Sequence, residues 1–298
     1  MENKPLVEST PLFKSGHTAC AGCGQAIAAR LVIEAAGANT IIANNTGCLE
    51  VFSTKYPETA WGVPWIHSLF ENAAAVASGI EAALKYLGKK ENTNVIAQGG
   101  DGSTADIGLQ ALSGMLERGH DILYVCYDNE AYMNTGVQRS GLTPFDTNTT
   151  TSPLGVNSSG NIRPKKPMPE ICLAHGIPYV ATASAGFPQD LQRKVKKAIS
   201  IKGPKYIQIH VPCPLGWRHE TNQMLPVAKL AVETGLYPLF EYESGVLANR
   251  KQIVPKPVEE YLKSQGRFKH LLNNPEEIKK VQEIADNNIK KYNLKVEA

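Results

Sequence analysis

The sequence predicts an α/β protein built on a doubly wound, mainly parallel sheet with helices on both faces. Two observations carry this. Between residues 40 and 211, short β-type runs alternate with helical stretches, the pattern of βαβ units. The chemistry-bearing residues Asp101 and Asn129 fall just past strand ends, where ligands bind in such sheets.

The elements follow in order. Residues 1–16 read as an irregular lead-in. Gly24 to Glu34 is rich in helix formers and should end near Gly37. Thr40–Asn44 is a short buried strand, and residues 46–70, with Trp61, Trp65 and two prolines, read as irregular. Glu71 to Leu87 is an alanine-rich helix that lets neighbours approach closely. Then come a strand at Val95–Gln98, a helix from Ala105 to Arg118 and a strand from Ile122 to Tyr127. Residues 133–167 are poor in apolar residues and form a long polar loop, a kind that is usually functional or disordered. A helix from Met168 to His175, a strand at Tyr179–Thr182, a helix at Pro188–Ser200 and a strand at Lys205–Val211 complete the alternation. From Gly235 the composition becomes charged, with one helix at Pro275–Lys291. Residues 1–234 are thus expected to form the main domain and 235–298 a C-terminal extension or arm.

The chain has 298 residues, 42% apolar and 20% charged, with a net charge of +3. This is ordinary for a globular protein and too weakly basic to argue for nucleic acid. Lys194, Lys196 and Lys197 read as the solvated face of a helix. The N-terminus shows no secretory pattern, and no apolar run approaches the ~20 residues that span a bilayer. The expectation is a cytoplasmic protein, where structural disulfides are disfavoured. Six cysteines then point to metal or catalysis.

Four of them stand out: Cys20-Ala-Gly-Cys23, Cys48 after Thr46-Gly47, and Cys213 in His-Val-Pro-Cys-Pro. Such a set can hold one iron–sulfur cluster, and a CxxC pair also suits zinc or a redox dithiol. Cys126 in a strand and Cys172 in a helix read as buried small hydrophobes. His67 sits in the irregular segment, either near the site or as a satisfied structural group, and Glu71 reads as a helix-start charge.

Gly100-Asp-Gly-Ser-Thr-Ala105 loosely fits a dinucleotide turn. Asp101 argues against it, because a bare carboxylate repels a diphosphate. A bridging Mg²⁺ reverses the sign of that contact, since hard cations prefer oxygen ligands. A second oxygen source lies at the end of the next strand, in Asp128-Asn-Glu-Ala-Tyr-Met-Asn134.

Gly100-Asp101-Gly102, followed after 26 intervening residues by Asn129, resembles the thiamine diphosphate motif. Combined with Cys-x-x-Cys-Gly, Thr-Gly-Cys, Tyr-x-Asn-Thr-Gly and a late Cys-Pro, residues 12 to 240 resemble the β subunit of the 2-oxoacid:ferredoxin oxidoreductases, pyruvate:ferredoxin oxidoreductase (pyruvate synthase) above all. The resemblance implies a thiamine diphosphate-binding fold with an iron–sulfur cluster loop region. It implies that Cys20, Cys23, Cys48 and Cys213 ligate one [4Fe–4S] cluster, and that Asp101, the Asn129 side chain and the Ala131 carbonyl bind Mg²⁺. Gly100, Asp101, Gly102, Ser103 and the run Asn129, Glu130, Ala131, Tyr132, Met133, Asn134 would line the diphosphate. Asn134 would approach substrate, and Gln25 and Cys48 would touch the cofactor. The implied reaction is oxidative decarboxylation of pyruvate, with coenzyme A as co-substrate and ferredoxin as electron acceptor. Related substrates are 2-oxoisovalerate, 2-oxoglutarate and oxalate. A non-redox thiamine decarboxylase or carboligase with structural zinc is the competing reading. The chain lacks ferredoxin-type cysteine spacing, and no pyrimidine-activating domain is identified. The resemblance therefore implies α, γ and ferredoxin-like δ subunits as partners.

Overall fold

The computed structural model describes residues 11–55 and 57–296, so most of the expected lead-in lies outside the described residues. In chain order the elements are α1 (Gly24–Ala36), β1 (Thr40–Asn44), α2 (Cys48–Ser53), β2 (Trp65–His67), α3 (Ala73–Tyr86), β3 (Asn94–Gly100), α4 (Leu109–Glu117), β4 (Leu123–Asp128), β5 (Leu154–Gly155), β6 (Ser158–Ser159), α5 (Met168–Leu173), β7 (Tyr179–Ser184), α6 (Pro188–Ser200), β8 (Lys205–His210), α7 (Pro214–Trp217), α8 (Met224–Glu233), β9 (Phe240–Glu243), β10 (Val246–Arg250), α9 (Val258–Lys263) and α10 (Pro275–Tyr292).

Eight strands form one sheet in the order β10-β9-β7-β8-β4-β3-β1-β2. The six strands from β7 to β2 are parallel, while β9 runs antiparallel to β7. Side chains alternate between two cores, as the period of two requires. Leu123, Val125 and Tyr127 face the core that contains Val32 and Ile33 of α1 and Leu191 and Val195 of α6. Tyr124 and Cys126 face the opposite core, with Ala77 of α3, Met115 of α4 and Met168 of α5. Every residue of β4, β7 and β8 is buried, as a central parallel strand covered on both faces must be. Cys126 and Cys172 are fully buried.

Four expectations change. Residues 46–70 are not irregular throughout: they contain α2 and the edge strand β2, which the two tryptophans and the prolines masked. The helix expected from Ala105 begins instead with a π-helical turn at Ser103–Ile107, directly after the glycine turn. The segment after Gly235 has more than one helix. It adds β9 and β10 to the sheet and builds a third core, in which Phe240, Tyr261 and Phe268 pack against Trp217. Lys194 is not on a solvated face: its Nζ is buried and donates to the Thr182 carbonyl (2.8 Å) and to Asp190 Oδ2 (2.6 Å). An amphipathic helix buries the stem of such a lysine once a carbonyl and a carboxylate receive its charge.

The long loop 133–167 is ordered by its own polar groups. Asn161 Nδ2 donates to the carbonyls of Thr143, Pro144 and Arg163, and Asp146 N donates to Asn161 O. Asp146 also faces Glu277 in the first turn of α10. Burial and the Glu277 carboxyl push Asp146 up to about 6. An acid raised on folding stabilises fully only below its unfolded value, and that stability is lost as pH rises toward 6. Asp146→Asn should therefore raise Tm by roughly 2–6 °C above pH 6 and leave it unchanged below about pH 4, which a pH series of melting curves checks. No helix among the described residues is long and apolar enough to cross a membrane.

Candidate active site

Strands β1, β3, β4 and β8 lie side by side and parallel, so their carboxyl ends open at one edge of the sheet. The register aligns Asn44 with Gln98, Gly100 with Tyr127, and Asp128 with His210. The exits of β1, β3 and β4 surround a narrow cleft. It is lined by Asn44 to Leu49, Gly99 to Ser103, Asn129, Ala131 to Thr135, Gln25 and Phe70.

Short polar ties fix these turns to one another. Asn45 Oδ1 accepts from the Ala73 N–H (2.7 Å), so the exit of β1 is tied to the start of α3. Ser103 Oγ donates to Thr46 O (3.2 Å), and Tyr132 Oη donates to Gly102 O (3.1 Å). Glycine is required at 102: a Cβ there would lie 2.3 Å from the Tyr132 ring.

The sequence-expected metal ligands converge. The end of the Asn129 side-chain amide lies 2.7 Å from Asp101 Oδ1 and 2.8 Å from the Ala131 carbonyl oxygen, positions at which its NH₂ donates to both acceptors. With the NH₂ inward the loop is closed without an ion; with the amide turned over, its oxygen would join Asp101 Oδ1 and the Ala131 carbonyl in a three-oxygen set of the kind that suits a hard cation. Asp101 is buried, and its other oxygen accepts from the Ser140 hydroxyl. Burial, then the Asp128 charge, raises its carboxyl well above the usual carboxylate range. A bound cation would offset both. Gln25 is buried at the cleft wall, and its Oε1 has no partner among the described residues.

The four singled-out cysteines are free thiols, and Cys48 lines the cleft. Cys23 caps α1, Cys48 opens α2, and Cys213 caps α7, its sulfur accepting from the Gly216 N–H at 3.4 Å. Helix starts favour anionic sulfur. Gly22, with φ 74°, supplies the turn between Cys20 and Cys23; a Cβ there would meet the Thr221 carbonyl oxygen at 2.2 Å. Burial pushes Cys48 up to about 12, and Cys213, Cys23 and Cys20 add to the rise. Burial pushes Cys213 up to about 11 and raises Cys23 as well. Among the described residues no group of three or more His, Cys, Asp or Glu side chains is drawn together closely enough to hold a metal ion.

Glu130 behaves differently from its neighbours. It does not line the cleft. At φ 69° it turns its carboxylate the other way, onto Lys165 (2.7 Å) and Arg267 (2.5 Å). Burial pushes its carboxyl up, but Lys165 and Arg267 outweigh this and hold it near 2. Lys165 also pairs with Asp128 (2.8 Å). Arg267 lies 3.8 Å over the Trp217 ring, and Trp217 Nε1 donates to Asn129 O (2.8 Å). The loop that carries the metal-type oxygens is therefore gripped from behind.

Sequence reasoning missed Asn45, Thr46, Phe70 and Thr135 as lining residues, and Ser140, Lys165 and Arg267 as supports. Thr46 stood in the Thr-Gly-Cys motif, and Ser140 in the polar loop already marked as functional. Nothing in the sequence pointed to Arg267. His67 is exposed and bonded to Thr46 Oγ1 (2.7 Å). Glu71 does not cap α3; Asn72 precedes the helix and accepts from the Leu69 N–H.

Comparison with known proteins shows the family to which the chain belongs. The family model "Thiamine pyrophosphate enzyme, C-terminal TPP binding domain" matches residues 45–209, more than half of the chain. A protein of Methanosarcina barkeri described as pyruvate synthase subunit PorB is 62% identical, covering 94% of this chain and 96% of the relative. The Methanocaldococcus jannaschii PorB is 57% identical, covering 95% and 96%. A Pyrococcus furiosus ketoisovalerate oxidoreductase subunit VorB is 49% identical, covering 87% and 86%. In fold, the chain resembles a 2-oxoglutarate:ferredoxin oxidoreductase from Magnetococcus marinus, with TM-score 0.57, 24% identity, and coverage of 76% of this chain and 82% of that one. With its thiamine pyrophosphate-binding domain, the chain belongs to the PorB family of pyruvate synthase β subunits, components of multi-subunit 2-oxoacid:ferredoxin oxidoreductases.

Proposed function

We propose that this chain carries the reaction centre of a cytoplasmic pyruvate:ferredoxin oxidoreductase, which converts pyruvate and coenzyme A to acetyl-CoA and CO₂ and passes the electrons to ferredoxin. The observation that supports it best is the convergence of Asp101 Oδ1, the Asn129 side-chain amide and the Ala131 carbonyl in a cleft that also contains Cys48. In this reading Asp101 Oδ1, Asn129 Oδ1 and the Ala131 carbonyl would hold Mg²⁺, and Gly100, Gly102 and Ser103 would let the diphosphate approach closely. Cys20, Cys23, Cys48 and Cys213 would hold one [4Fe–4S] cluster. When bound, thiamine diphosphate supplies the electron sink for decarboxylation and the cluster a one-electron exit.

The chain's own residues do the rest. Asp101 would supply the negative charge that anchors a cation against the diphosphate. Tyr132 and Ser103 keep the turns from parting, and Asn134 faces the substrate side. Gln25 Oε1, buried without a partner at the cleft wall, would accept a hydrogen bond from the cofactor. Cys48 lines the same cleft, so a cluster held there would leave a short electron path. The high PorB identity favours pyruvate, while the VorB likeness makes 2-oxoisovalerate the nearest other substrate. The α, γ and ferredoxin-like δ subunits complete the enzyme.

The test is anaerobic purification of the assembled complex, with iron, zinc and thiamine quantified, low-temperature EPR after dithionite reduction, and turnover on pyruvate, 2-oxoisovalerate, 2-oxoglutarate and oxalate. The β chain should account for about four irons and one thiamine, with pyruvate turned over fastest. Zinc without an EPR signal would remove the electron path and leave a non-redox carboligase. Normal pyruvate oxidation by the isolated chain would refute the need for partners.

A further inference from the structure

Across the loop that presents Asn129 and Ala131 lies a second cavity of about 240 Å³. Glu130, Lys165 and His210 form its polar end. Phe145, Leu236, Tyr237, Tyr261, Phe268 and Val281 form its walls, so its body is apolar and largely aromatic. It opens between the exposed residues Pro164 and Ile284, the latter on α10.

His210 is the feature that asks for an occupant. It is completely buried, and neither ring nitrogen has a partner among the described residues. Buried polar groups almost always have one. The ring cannot swing to find one, because Trp217 and Tyr237 pack against it at 5.2 and 4.5 Å. Nε2 is 3.8 Å from Glu130 Oε1, too far for a direct hydrogen bond. An oxygen about 2.8 Å from each atom would close the triangle.

The chemistry of that oxygen is constrained. Glu130 is anionic and already shares its charge with Lys165 and Arg267. Burial keeps His210 neutral, its value pushed down to about 3, so it offers one donor and one acceptor. A carboxylate head would meet the Glu130 charge, and an ammonium head would compete with Lys165. A hydroxyl can donate to Glu130 and accept from His210 at once.

From this geometry we infer that the cavity is a binding site for a small neutral hydroxyl compound with an aromatic or apolar body, of phenol type, held by His210 and Glu130. The site is separate from the cofactor cleft and does not depend on the reading of that cleft.

Phenol is the probe, with toluene as the analogue that lacks the hydroxyl. Both are titrated into the assembled complex by saturation-transfer NMR, with the melting temperature recorded in parallel. Phenol should bind with a Kd on the order of 1 mM, and toluene roughly tenfold more weakly. His210→Phe keeps the aromatic stack and should bring phenol down to the affinity of toluene. Ile284→Trp at the mouth should block both, and serves as the second variant if His210→Phe does not fold. Equal binding of phenol and toluene, phenol binding unchanged by His210→Phe or Ile284→Trp, or no binding of phenol at all would overturn the proposal.

Discussion

Asp101→Ala is expected to abolish thiamine diphosphate retention and to lower 2-oxoacid turnover by on the order of 10³-fold, since a bridging metal supplies several kcal/mol. Asp101 is the one carboxylate lining the cleft among the described residues. Without it, Asn129 and Ala131 offer only neutral oxygens to a divalent cation, and the diphosphate loses its anchor. The fold should tolerate the change, because ionised Asp101 is itself costly where it sits: burial and Asp128 both oppose its charge. Equilibrium dialysis of thiamine diphosphate against Mg²⁺, with iron quantified on the same sample, checks this. Iron content should stay at the parent level. Retained cofactor affinity would show that the diphosphate site is misassigned.

Arg267→Met should show a different signature, a loss of stability of about 3–5 kcal/mol together with weaker metal binding. Arg267 is 2% exposed and holds Glu130 at 2.5 Å. Its removal leaves a buried carboxylate with Lys165 as its remaining partner. Glu130 lies between Asn129 and Ala131 in a left-handed conformation, so loss of its grip loosens both metal-type oxygens. The double variant Glu130→Gln/Arg267→Met should recover much of the stability, because no unpaired charge remains. Melting temperatures of the four proteins, with a Mg²⁺ titration on each, form the cycle. Additive losses would mean that the pair does not act as a unit.

Much of the fold was legible because its signals are local. The helix Pro188–Ser200 has the same bounds in the sequence and in the structure, since a proline opens it and its apolar period is regular. The Asp101 turn was legible because a glycine–acid–glycine run at a strand end serves few other purposes. Lys194 was misjudged because periodicity states which face a residue occupies, not whether a carbonyl waits there for its charge. The π-helical turn at Ser103–Ile107 escaped because helix propensity does not distinguish a wide turn from a regular one.

By itself the sequence determined the alternation of strands and helices, the strand-end position of Asp101 and Asn129, and the order of the four cysteines. These depend on neighbours within a few residues, through turn chemistry and hydrophobic period. Only the tertiary structure decided what stands behind the metal-type loop. Arg267 reaches Glu130 across 137 residues of chain, and Ser140 reaches Asp101 across 39. The antiparallel strands after Gly235 and the cavity around His210 likewise arise from contacts between distant segments. Such contacts are set by how the cores close and where buried charge must be paired, and a single sequence read locally carries no signal of either.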